Sequence, residues 1–330
     1  MLTSAEVEAS RAPAYPAYRP FEVQVARVLP LSPHFVRVTV TGEDLVHFAT
    51  TKLDQRIKVV FPGAAGLPDI GAREEATIRS GQWYARWRAM PQEERGALRT
   101  YTVRDIRPSE RELDIDFVRH APGPGGAEGP AGAWLRRAAV GDPLIVAGPD
   151  ARCPDVVGID WRPGSAQHLL LLGDETAAPA ICSIIETLEH GTAQALIEVP
   201  SSEDILSVYP RGRSRISWLA RDGGCETAEG RRAVAPHGLL LRNAAKSWLN
   251  RHTTIVSSVI GAPQTLEDID VDSELLWDSP AEVTEGDFYA WVAGEAATVR
   301  DLRRMMVGAG VNRRNVAFMG YWREGKSEAN

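Results

Sequence analysis

Cysteine is scarce in this sequence: only Cys153, Cys182 and Cys225 occur among 330 residues, widely spaced and without a C-x-x-C pair. This spacing excludes a cysteine-based zinc site and indicates reduced thiols with a structural role. No apolar run approaches the length of about 18 residues that a membrane-spanning helix requires. The N-terminus also lacks the basic start and apolar stretch of a secretory signal, so we expect a cytoplasmic protein without membrane insertion.

Positive charge is also in short supply. The chain has 37 Lys and Arg against 44 Asp and Glu, a net charge of −7, which disfavours a nucleic-acid partner because such binding uses cations to neutralise phosphates. No G-x-G-x-x-G or G-x-S-x-G string occurs, so the usual dinucleotide and serine-hydrolase signatures are absent. Five histidines outside the motifs below have no metal-ligand spacing: His34, His47, His190, His237 and His252.

Short strands separated by Gly and Pro dominate residues 18–150. Residues 1–17, rich in Ala and Pro, predict a flexible arm, and the polar, irregular stretch at 67–97 predicts an inserted surface loop or short helix. One helix is predicted at Ala133–Ala139. This profile indicates a small antiparallel β-barrel. Its predicted strands are Phe21–Val28, Phe35–Val40, Ile57–Phe61, Arg99–Val103, Leu113–His120 and Leu144–Ala147.

After a connector rich in Pro, Gly and Asp, residues 165–330 change character. His168–Leu172 is a continuous apolar run, as expected for a strand buried on both faces. Helical spacing follows at Pro179–Leu188 and again at Thr298–Val307, and strands that alternate with helices indicate parallel βαβ units. We therefore expect an α+β protein of two domains, an antiparallel β-barrel followed by an α/β domain with a parallel sheet. The other strands predicted for the second domain are Ala195–Val199, Ile216–Leu219, Tyr289–Val292 and Val316–Met319.

The most distinctive string in the first half is Arg99–Arg104 (RTYTVR). Side chains alternate along a strand, so Arg99 and Tyr101 share one face while Thr100 and Thr102 share the other. A cation, an aromatic ring and a hydroxyl within four residues suit a ligand that has a phosphate and a flat ring with polar edges. An edge strand with a solvated charged face is the alternative interpretation.

A glycine-rich stretch, Ala121–Gly132, follows Asp116–His120 and leads into a helix that opens at Ala133 and Trp134. A flexible loop before a helix is suited to anions, because unpaired backbone N–H groups and the helix dipole favour phosphate there. A plain surface loop explains the same composition.

Two strand-to-helix turns in the second half carry acidic residues. Gly173–Ala180 (GDETAAPA) follows the first buried strand, and Gly294 and Glu295 follow the strand Tyr289–Val292. Both turns lie at the carboxyl edge of the expected α/β sheet, where ligands bind in folds of this kind. The acids Asp174 and Glu175 are alternatively explained as helix caps.

The C-terminal string Gly320–Lys326 (GYWREGK) follows the last predicted strand. An aromatic pair with two cations at a sheet edge suits stacking on a flat cofactor and attraction of an anion. The alternative is an aromatic anchor that fixes the tail to the core.

Taken in order, RTYTVR, DFVRH with its glycine-rich loop, GDETAAPAI, WVAGEA with VRDLRR, and GYWREG resemble the siderophore-interacting protein family of ferric-siderophore reductases, within the ferredoxin-reductase-like superfamily. The resemblance runs from about residue 18 to 326. It implies an FAD-binding barrel at 18–150, an NAD(P)H-binding domain at 165–330, and reduction of Fe(III)-siderophores by a cytoplasmic monomer. A general flavin reductase, an electron-transfer flavoprotein and a non-catalytic siderophore carrier are the alternatives.

The resemblance also implies a role for individual residues. Arg99 would hold the FAD pyrophosphate, Tyr101 would face the isoalloxazine, and Thr102 would lie near its polar edge. Thr176 would lie beside the nicotinamide of NADPH or NADH, and Arg221 is a candidate for a 2′-phosphate contact. Thr102 and Thr176 are the residues expected nearest the reacting atoms. The other expected cofactor-binding residues are Val118, His120, Ala133, Trp134, Asp174, Gly294, Glu295 and Trp322.

An anionic ferric siderophore on this acidic protein would require local cations. The candidates are Arg56, Lys58, Arg119, Arg323 and Lys326. The chain departs from the family in two respects. Arg119 and Ala121 flank His120 where members commonly have leucine and glycine, and insertions at about 65–97 and 222–245 alter the surroundings of the substrate cleft.

Overall fold

The structure is a computed structural model that describes residues 14–120, 129–226, 232–257, 264, 274, 276–280 and 286–325. The first half forms one antiparallel sheet of seven strands in the order β4-β3-β7-β1-β2-β6-β5. The strands are β1 (Tyr18–Pro30), β2 (Phe35–Thr41), β3 (Arg56–Val60), β4 (Leu98–Thr102), β5 (Asp105–Arg107), β6 (Glu112–Val118) and β7 (Pro143–Pro149). None of the helices in the described residues is long and apolar enough to cross a membrane.

The first sheet curls so that its two edge strands, β4 and β5, are joined by the short segment Val103–Arg104, which bonds to both sides of the sheet. The Val103 amide donates to the carbonyl of Gln55 beside β3, at 2.9 Å, and the next amide, of Arg104, donates to Asp114 on β6, at 3.0 Å. Alternate residues such as Phe21 and Val38 fill the interior and are fully buried. The expected antiparallel barrel is therefore present as a curled antiparallel sheet.

The stretch expected as a surface loop or short helix contains two helices, α1 (Glu75–Ser80) and α2 (Trp83–Ala89). Trp83 and Trp87 are buried in a separate cluster against the outer face of the first sheet. The helix predicted at Ala133–Ala139 is shifted in the structure, where α3 spans Pro130–Leu135 with proline in its first turn. Proline fixes a helical φ there, so the helix begins earlier than the apolar pattern indicates.

The second half forms a six-stranded sheet in the order β10-β9-β8-β14-β15-β13. All neighbours are parallel except β13, which pairs antiparallel with β15, so the sheet is mixed and the expectation of a purely parallel sheet is corrected. A separate two-stranded ribbon is formed by β11 (Cys225–Glu226) and β12 (Arg232–Ala233). The sheet strands are β8 (His168–Gly173), β9 (Thr192–Val199), β10 (Arg215–Ala220), β13 (Trp277–Asp278), β14 (Phe288–Glu295) and β15 (Val316–Trp322).

Helices and the first sheet cover both faces of the second sheet. Leu170 and Leu172 pack in the cluster formed with α5 (Leu239–Arg251) and α7 (Ala296–Gly308). Leu169 and Leu171 face the other way, toward α4 (Ala178–Thr187). This explains the continuous apolar run of β8, since neither face meets water. The remaining helix, α6 (Thr253–Ser257), follows α5 directly.

Buried polar contacts fix the two sheets against each other. The Ser183 hydroxyl of α4 donates to the Arg104 carbonyl at 3.0 Å, and Arg104 pairs with Glu186 at 2.7 Å. Asp54, which precedes β3, accepts hydrogen bonds from the Trp291 indole of β14 at 2.9 Å and from the Asp160 amide at 3.0 Å. These contacts hold residues of the curled sheet and its flanking loops against α4 and β14.

Burial raises the pKa of Asp54 to about 6 despite these two hydrogen bonds, and its Oδ1 atom has no hydrogen-bond partner among the described residues. Because the pKa of Asp54 is higher in the folded protein than its ordinary value of 3.8, the protonated carboxyl stabilises the fold. This stabilisation is complete below pH 3.8 and is lost as the pH rises through about 6. A shift of about 2 units corresponds to about 3 kcal/mol.

We therefore expect Asp54→Asn to raise the free energy of unfolding by about 1 to 3 kcal/mol at pH 8, with the gain disappearing below about pH 4. Urea unfolding at several pH values measures this difference. Asp69→Asn is the matched control, because the Asp69 side chain is 76% exposed. A gain that does not change with pH would contradict the assignment of a buried ionised carboxylate.

Candidate functional site

The site is organised around Asp174, which follows β8 at the carboxyl edge of the second sheet and is 1% exposed. Its Oδ1 atom accepts hydrogen bonds from the Thr176 amide at 2.9 Å and the Thr176 hydroxyl at 2.6 Å. Its Oδ2 atom accepts hydrogen bonds from the Glu295 amide and from the Trp322 indole, each at 2.8 Å. One carboxylate thus joins the ends of β8, β14 and β15.

Burial opposes the ionised form of Asp174, but the neighbouring His237 and the hydrogen bonds from Thr176 and Trp322 more than offset it. The net effect is a lowered pKa for Asp174. The carboxylate is therefore ionised throughout the physiological range and acts as a fixed acceptor for the turn. Asp174 bonds to Thr176 within its own turn, but it is not the helix cap proposed from sequence, because the N-cap of the following helix is Ala177. Its role toward a ligand stays a prediction.

Gly294 makes room for Asp174. Its φ is +144°, and a Cβ atom at this position would lie 2.6 Å from Asp174 Oδ2, so another residue would displace the carboxylate. The next residue, Glu295, is 8% exposed and caps α7 by accepting a hydrogen bond from the Thr298 amide at 2.9 Å. Gly294 and Glu295 therefore build the turn, and the Glu295 carboxylate is used within the protein.

Trp322, at the end of β15, contacts residues from both halves of the chain. The His120 ring, just beyond the end of β6, lies 5.6 Å from the indole between ring centroids. The His237 ring lies 5.2 Å away on an edge-to-face approach at 81°. Trp322 is thus held by three residues from different parts of the chain, and His120 is the one contributed by the curled sheet.

His237 is a member of the site that the sequence analysis missed. It lies before α5, and Glu198 at the end of β9 fixes this position by accepting the Gly238 amide at 2.6 Å and the Leu241 amide at 2.8 Å. The imidazole Nε2 atom lies 3.5 Å from Asp174 Oδ2. No local pattern marks this histidine, because its partners are tens of residues away in sequence.

Arg221, expected at a 2′-phosphate, is already paired inside the protein. Its guanidinium binds both oxygens of Glu175, each at 3.0 Å, and approaches Glu198 at 3.3 Å. The side chain is 12% exposed, so a ligand phosphate would have to displace two carboxylates to use it. Burial lowers the pKa of Arg221, whereas the two carboxylates raise it. The net effect is a raised pKa.

The curled sheet places the other expected residues along β4 and β6. The Tyr101 ring packs 4.4 Å from Phe117, between centroids, and is half-buried, while Thr102 is buried. Arg99 is half-buried and donates to the Leu98 carbonyl at 2.8 Å. Val118 follows Phe117 on β6, two residues before His120, so this strand connects the Tyr101 region with Trp322.

The helix start expected to bind phosphate is partly used for packing. The Trp134 indole is buried and lies 5.3 Å from the Phe61 ring between centroids. The Ala133 amide donates to the Gly129 carbonyl at 3.0 Å. The loop before this helix, residues 121–128, lies outside the described residues.

The cations expected to attract a substrate have different surroundings. Arg56 pairs with Asp160 at 3.1 Å and stacks on Trp277, with 4.2 Å between the guanidinium carbon and the ring centroid. The Lys58 ammonium donates to the Thr100 hydroxyl at 2.5 Å. Arg119 is exposed, Arg323 donates to the carbonyl of Glu274, and Lys326 lies outside the described residues.

The next feature is the set of side chains that could bind a metal ion. The described residues contain no group of three or more His, Cys, Asp or Glu side chains arranged to hold a metal ion. The three cysteines are free, and burial raises the pKa of Cys182 to about 12, as expected for a structural thiol.

Comparisons with known proteins agree with the two-sheet organisation. The model of the siderophore-interacting FAD-binding domain matches residues 24–153, and that of the siderophore-interacting protein family matches residues 166–325. The SipS siderophore-interacting protein of Aeromonas hydrophila has the same fold, with a TM-score of 0.60, 23% identity, and coverage of 94% of each chain.

Several of the relatives are named as reductases, among them one from Vibrio cholerae and one from Escherichia coli. The chain is 33% identical to ferric vibriobactin reductase ViuB of Vibrio cholerae over an aligned segment of 194 residues. This segment covers 58% of this chain and 63% of that protein. Over 303 residues it is 26% identical to the NADPH-dependent ferric-chelate reductase of Escherichia coli, which covers 91% of this chain and 92% of that protein.

Proposed function

Because the chain belongs to the siderophore-interacting protein family, we propose that it is an NAD(P)H-dependent, FAD-containing reductase of ferric siderophores. The observation that supports this most directly is the junction at Trp322, where His120 from the curled sheet and Asp174 from the second sheet contact one indole. A hydride donor and its acceptor must be held in contact, and a junction between two ligand-binding sheets can do this.

The first sheet has side chains that fit FAD. Arg99 and Tyr101 lie on the same face of β4 and are both half-buried, so a cation and an aromatic ring are available side by side. Arg99 would hold the pyrophosphate, Tyr101 and Thr102 would contact the isoalloxazine, and His120 would border it near Trp322. Val118, Ala133 and Trp134 would complete the site mainly by shaping its walls. When bound, FAD would supply the chemistry that couples a two-electron hydride donor to single-electron reduction of iron.

The carboxyl edge of the second sheet fits NADPH or NADH. Thr176 would lie beside the nicotinamide, and Asp174 fixes its hydroxyl by accepting a hydrogen bond at 2.6 Å. Gly294 permits close approach of the turn, and Trp322 covers the side that faces the first sheet. The contribution of these residues is to orient the reacting rings and to exclude water from the space between them.

The substrate class proposed is the ferric siderophore, as the names of the two reductase relatives indicate. Siderophore oxygens are hard ligands that favour Fe(III) over Fe(II), so reduction loosens the metal without any protein ligand to iron. Arg119, Arg323 and Lys58 are the described cations that we place nearest an anionic substrate. Lys326, also a candidate from sequence, lies outside the described residues. Arg56 would contribute only through its pair with Asp160.

We assign FAD binding to residues 18–150 and NAD(P)H binding to residues 165–330. Most of the arm predicted at 1–17 lies outside the described residues. An enzyme that draws on NAD(P)H works where these nucleotides are kept reduced, so we propose a cytoplasmic monomer whose partners are small molecules.

Steady-state assays distinguish this proposal from its rivals. The FAD-loaded protein is given NADPH or NADH, a ferric siderophore, and a chromogenic chelator specific for Fe(II), without oxygen. We expect nucleotide oxidation to depend on the ferric substrate and to yield two Fe(II) for each nucleotide, because a hydride carries two electrons. Nucleotide oxidation with free flavin but not with ferric siderophore would indicate a general flavin reductase. Siderophore binding without any nucleotide oxidation would indicate a carrier and overturn the proposal.

A further inference from the structure

The carboxyl edge contains a charge imbalance that involves His237. Four carboxylates are buried there. Glu295, 8% exposed, accepts the Thr298 amide, whereas Asp174, Glu175 and Glu198, which are 1%, 3% and 0% exposed, lie around Arg221 and His237. One arginine, Arg221, binds two of them, Glu175 and Glu198. Asp174 accepts four hydrogen bonds but is not one of the carboxylates that Arg221 binds, and a buried charge is further stabilised by a cation beside it.

His237 is positioned to be that cation. Its Nε2 atom lies 3.5 Å from Asp174 Oδ2 and 3.8 Å from Glu175 Oε2. The side chain is only 19% exposed, and Nε2 is buried without a hydrogen bond of good geometry to the described residues. The same imidazole meets the Trp322 indole edge to face.

We propose that protonated His237 is a positioning residue that keeps the Asp174 carboxylate and the Trp322 indole in place where the two halves of the chain are in contact. This inference rests on the proposed function for its catalytic consequence, because Trp322 covers the place assigned to the reacting rings. With neutral His237, Asp174, Glu175 and Glu198 have only the guanidinium of Arg221 beside them. Repulsion between Asp174 and Glu175 then favours displacement of Asp174, and Trp322 loses its acceptor.

The charged groups around His237 come from four elements, one of which is β9, where Glu198 accepts the amide of the adjacent Gly238. Asp174 and Glu175 lie in the turn after β8, Arg221 follows β10, and His120 approaches Trp322 from the end of β6. Burial lowers the pKa of His237, but Asp174 and Glu175 more than offset both burial and the repulsion from Arg221, so the net shift is upward. The stabilisation is complete below the unfolded value of 6.5 and is lost as the pH rises through the folded value.

The protonation of His237 is measured by NMR on protein with carbon-13 at the histidine Cε1 atoms, which gives signals from seven histidines. The signal absent from His237→Gln identifies His237. We expect its midpoint to lie above 6.5 in the wild type and to fall by about 1 unit in Asp174→Asn. A midpoint at or below 6.5 in the wild type would overturn the proposal. This measurement does not depend on flavin or on any activity.

The positioning role is measured at Trp322. The fluorescence of Trp322 is obtained as the difference between the wild type and Trp322→Phe. Acrylamide quenching of this difference reports how exposed the Trp322 indole is. We expect its quenching to rise about twofold or more as the pH passes through the His237 midpoint, and to be high at every pH in His237→Gln. The variant His237→Lys, which keeps a cation, should restore low quenching across the range. Quenching that ignores both pH and the Gln substitution would overturn the role.

His168→Gln is the matched control, because His168 faces Asp287 at the same 3.5 Å but at the opposite end of β8, with both side chains exposed. In the FAD-loaded enzyme, the rate of flavin reduction should fall about tenfold through the His237 midpoint, whereas His168→Gln should keep the wild-type pH profile. A wild-type profile in His237→Gln would contradict the catalytic consequence. Failure of flavin binding would contradict the proposed function, while the NMR and quenching results would still decide the position of His237.

Discussion

Arg99→Ala is expected to abolish stable FAD binding. The guanidinium of Arg99 is the cation on the face of β4 that also carries Tyr101, and a charge-assisted contact to a pyrophosphate is worth about 3 kcal/mol, or about 100-fold in affinity. The protein should therefore purify colourless, and titration with added FAD should give a dissociation constant about 100-fold above that of the wild type. Flavin fluorescence and visible absorbance measure both quantities.

Arg27→Ala is the control for Arg99→Ala. Arg27 lies on β1 of the same sheet, is 56% exposed, and pairs with Glu112 at 2.6 Å. Its loss removes a charge from the sheet without touching β4, and exposed pairs of this kind contribute little to stability. FAD content should therefore stay at the wild-type level. Full FAD retention in a folded Arg99→Ala protein would remove Arg99 from the flavin site.

Asp174→Ala is expected to have a comparably large effect, but on a different step. The change leaves the Thr176, Glu295 and Trp322 donors without their acceptor and removes the partner of His237. We expect a loss of about 3 to 5 kcal/mol in unfolding free energy. We also expect a fall of about 100-fold or more in the rate of flavin reduction by NAD(P)H, because Thr176 and Trp322 lose their positions.

FAD should remain bound in Asp174→Ala, since the residues assigned to the flavin lie mainly on the first sheet. Urea unfolding, FAD stoichiometry and rapid anaerobic mixing with nucleotide measure the three properties separately. Asp174→Asn, which keeps one acceptor oxygen, should be intermediate in both stability and rate. Asp301→Ala, on the half-exposed face of α7, is the control. A wild-type reduction rate in a folded Asp174→Ala protein would contradict the assignment of the carboxyl edge.

The parts of the fold set by local pattern were predictable. The run His168–Leu172 followed by GDETAAPA indicates a buried strand and a turn at its carboxyl end, and the structure has both. Trp322 was expected from the aromatic pair after the last strand. By contrast, β13 has only two residues, too few to give an alternating pattern, and so the antiparallel edge of the sheet was missed.

The features that sequence did not reveal are those that depend on distant partners. His237 is recognisable only when Asp174, 63 residues earlier, is seen beside it. Arg221 looks available to a phosphate in sequence, but Glu175 and Glu198 use its guanidinium. Asp54 resembles an ordinary loop acid until Trp291 and the Asp160 amide are placed around it. Charge pairing across tens of residues leaves no periodic signal for sequence to carry.

The visible absorption spectrum of the purified protein, recorded without oxygen before and after addition of NADPH and then NADH, decides whether the protein is a flavin-containing reductase. We expect oxidised-flavin bands that bleach on addition of a nucleotide and return when a ferric siderophore is added, with Fe(II) released. A protein that stays colourless after incubation with FAD, or a bound flavin that neither nucleotide reduces, would contradict this function.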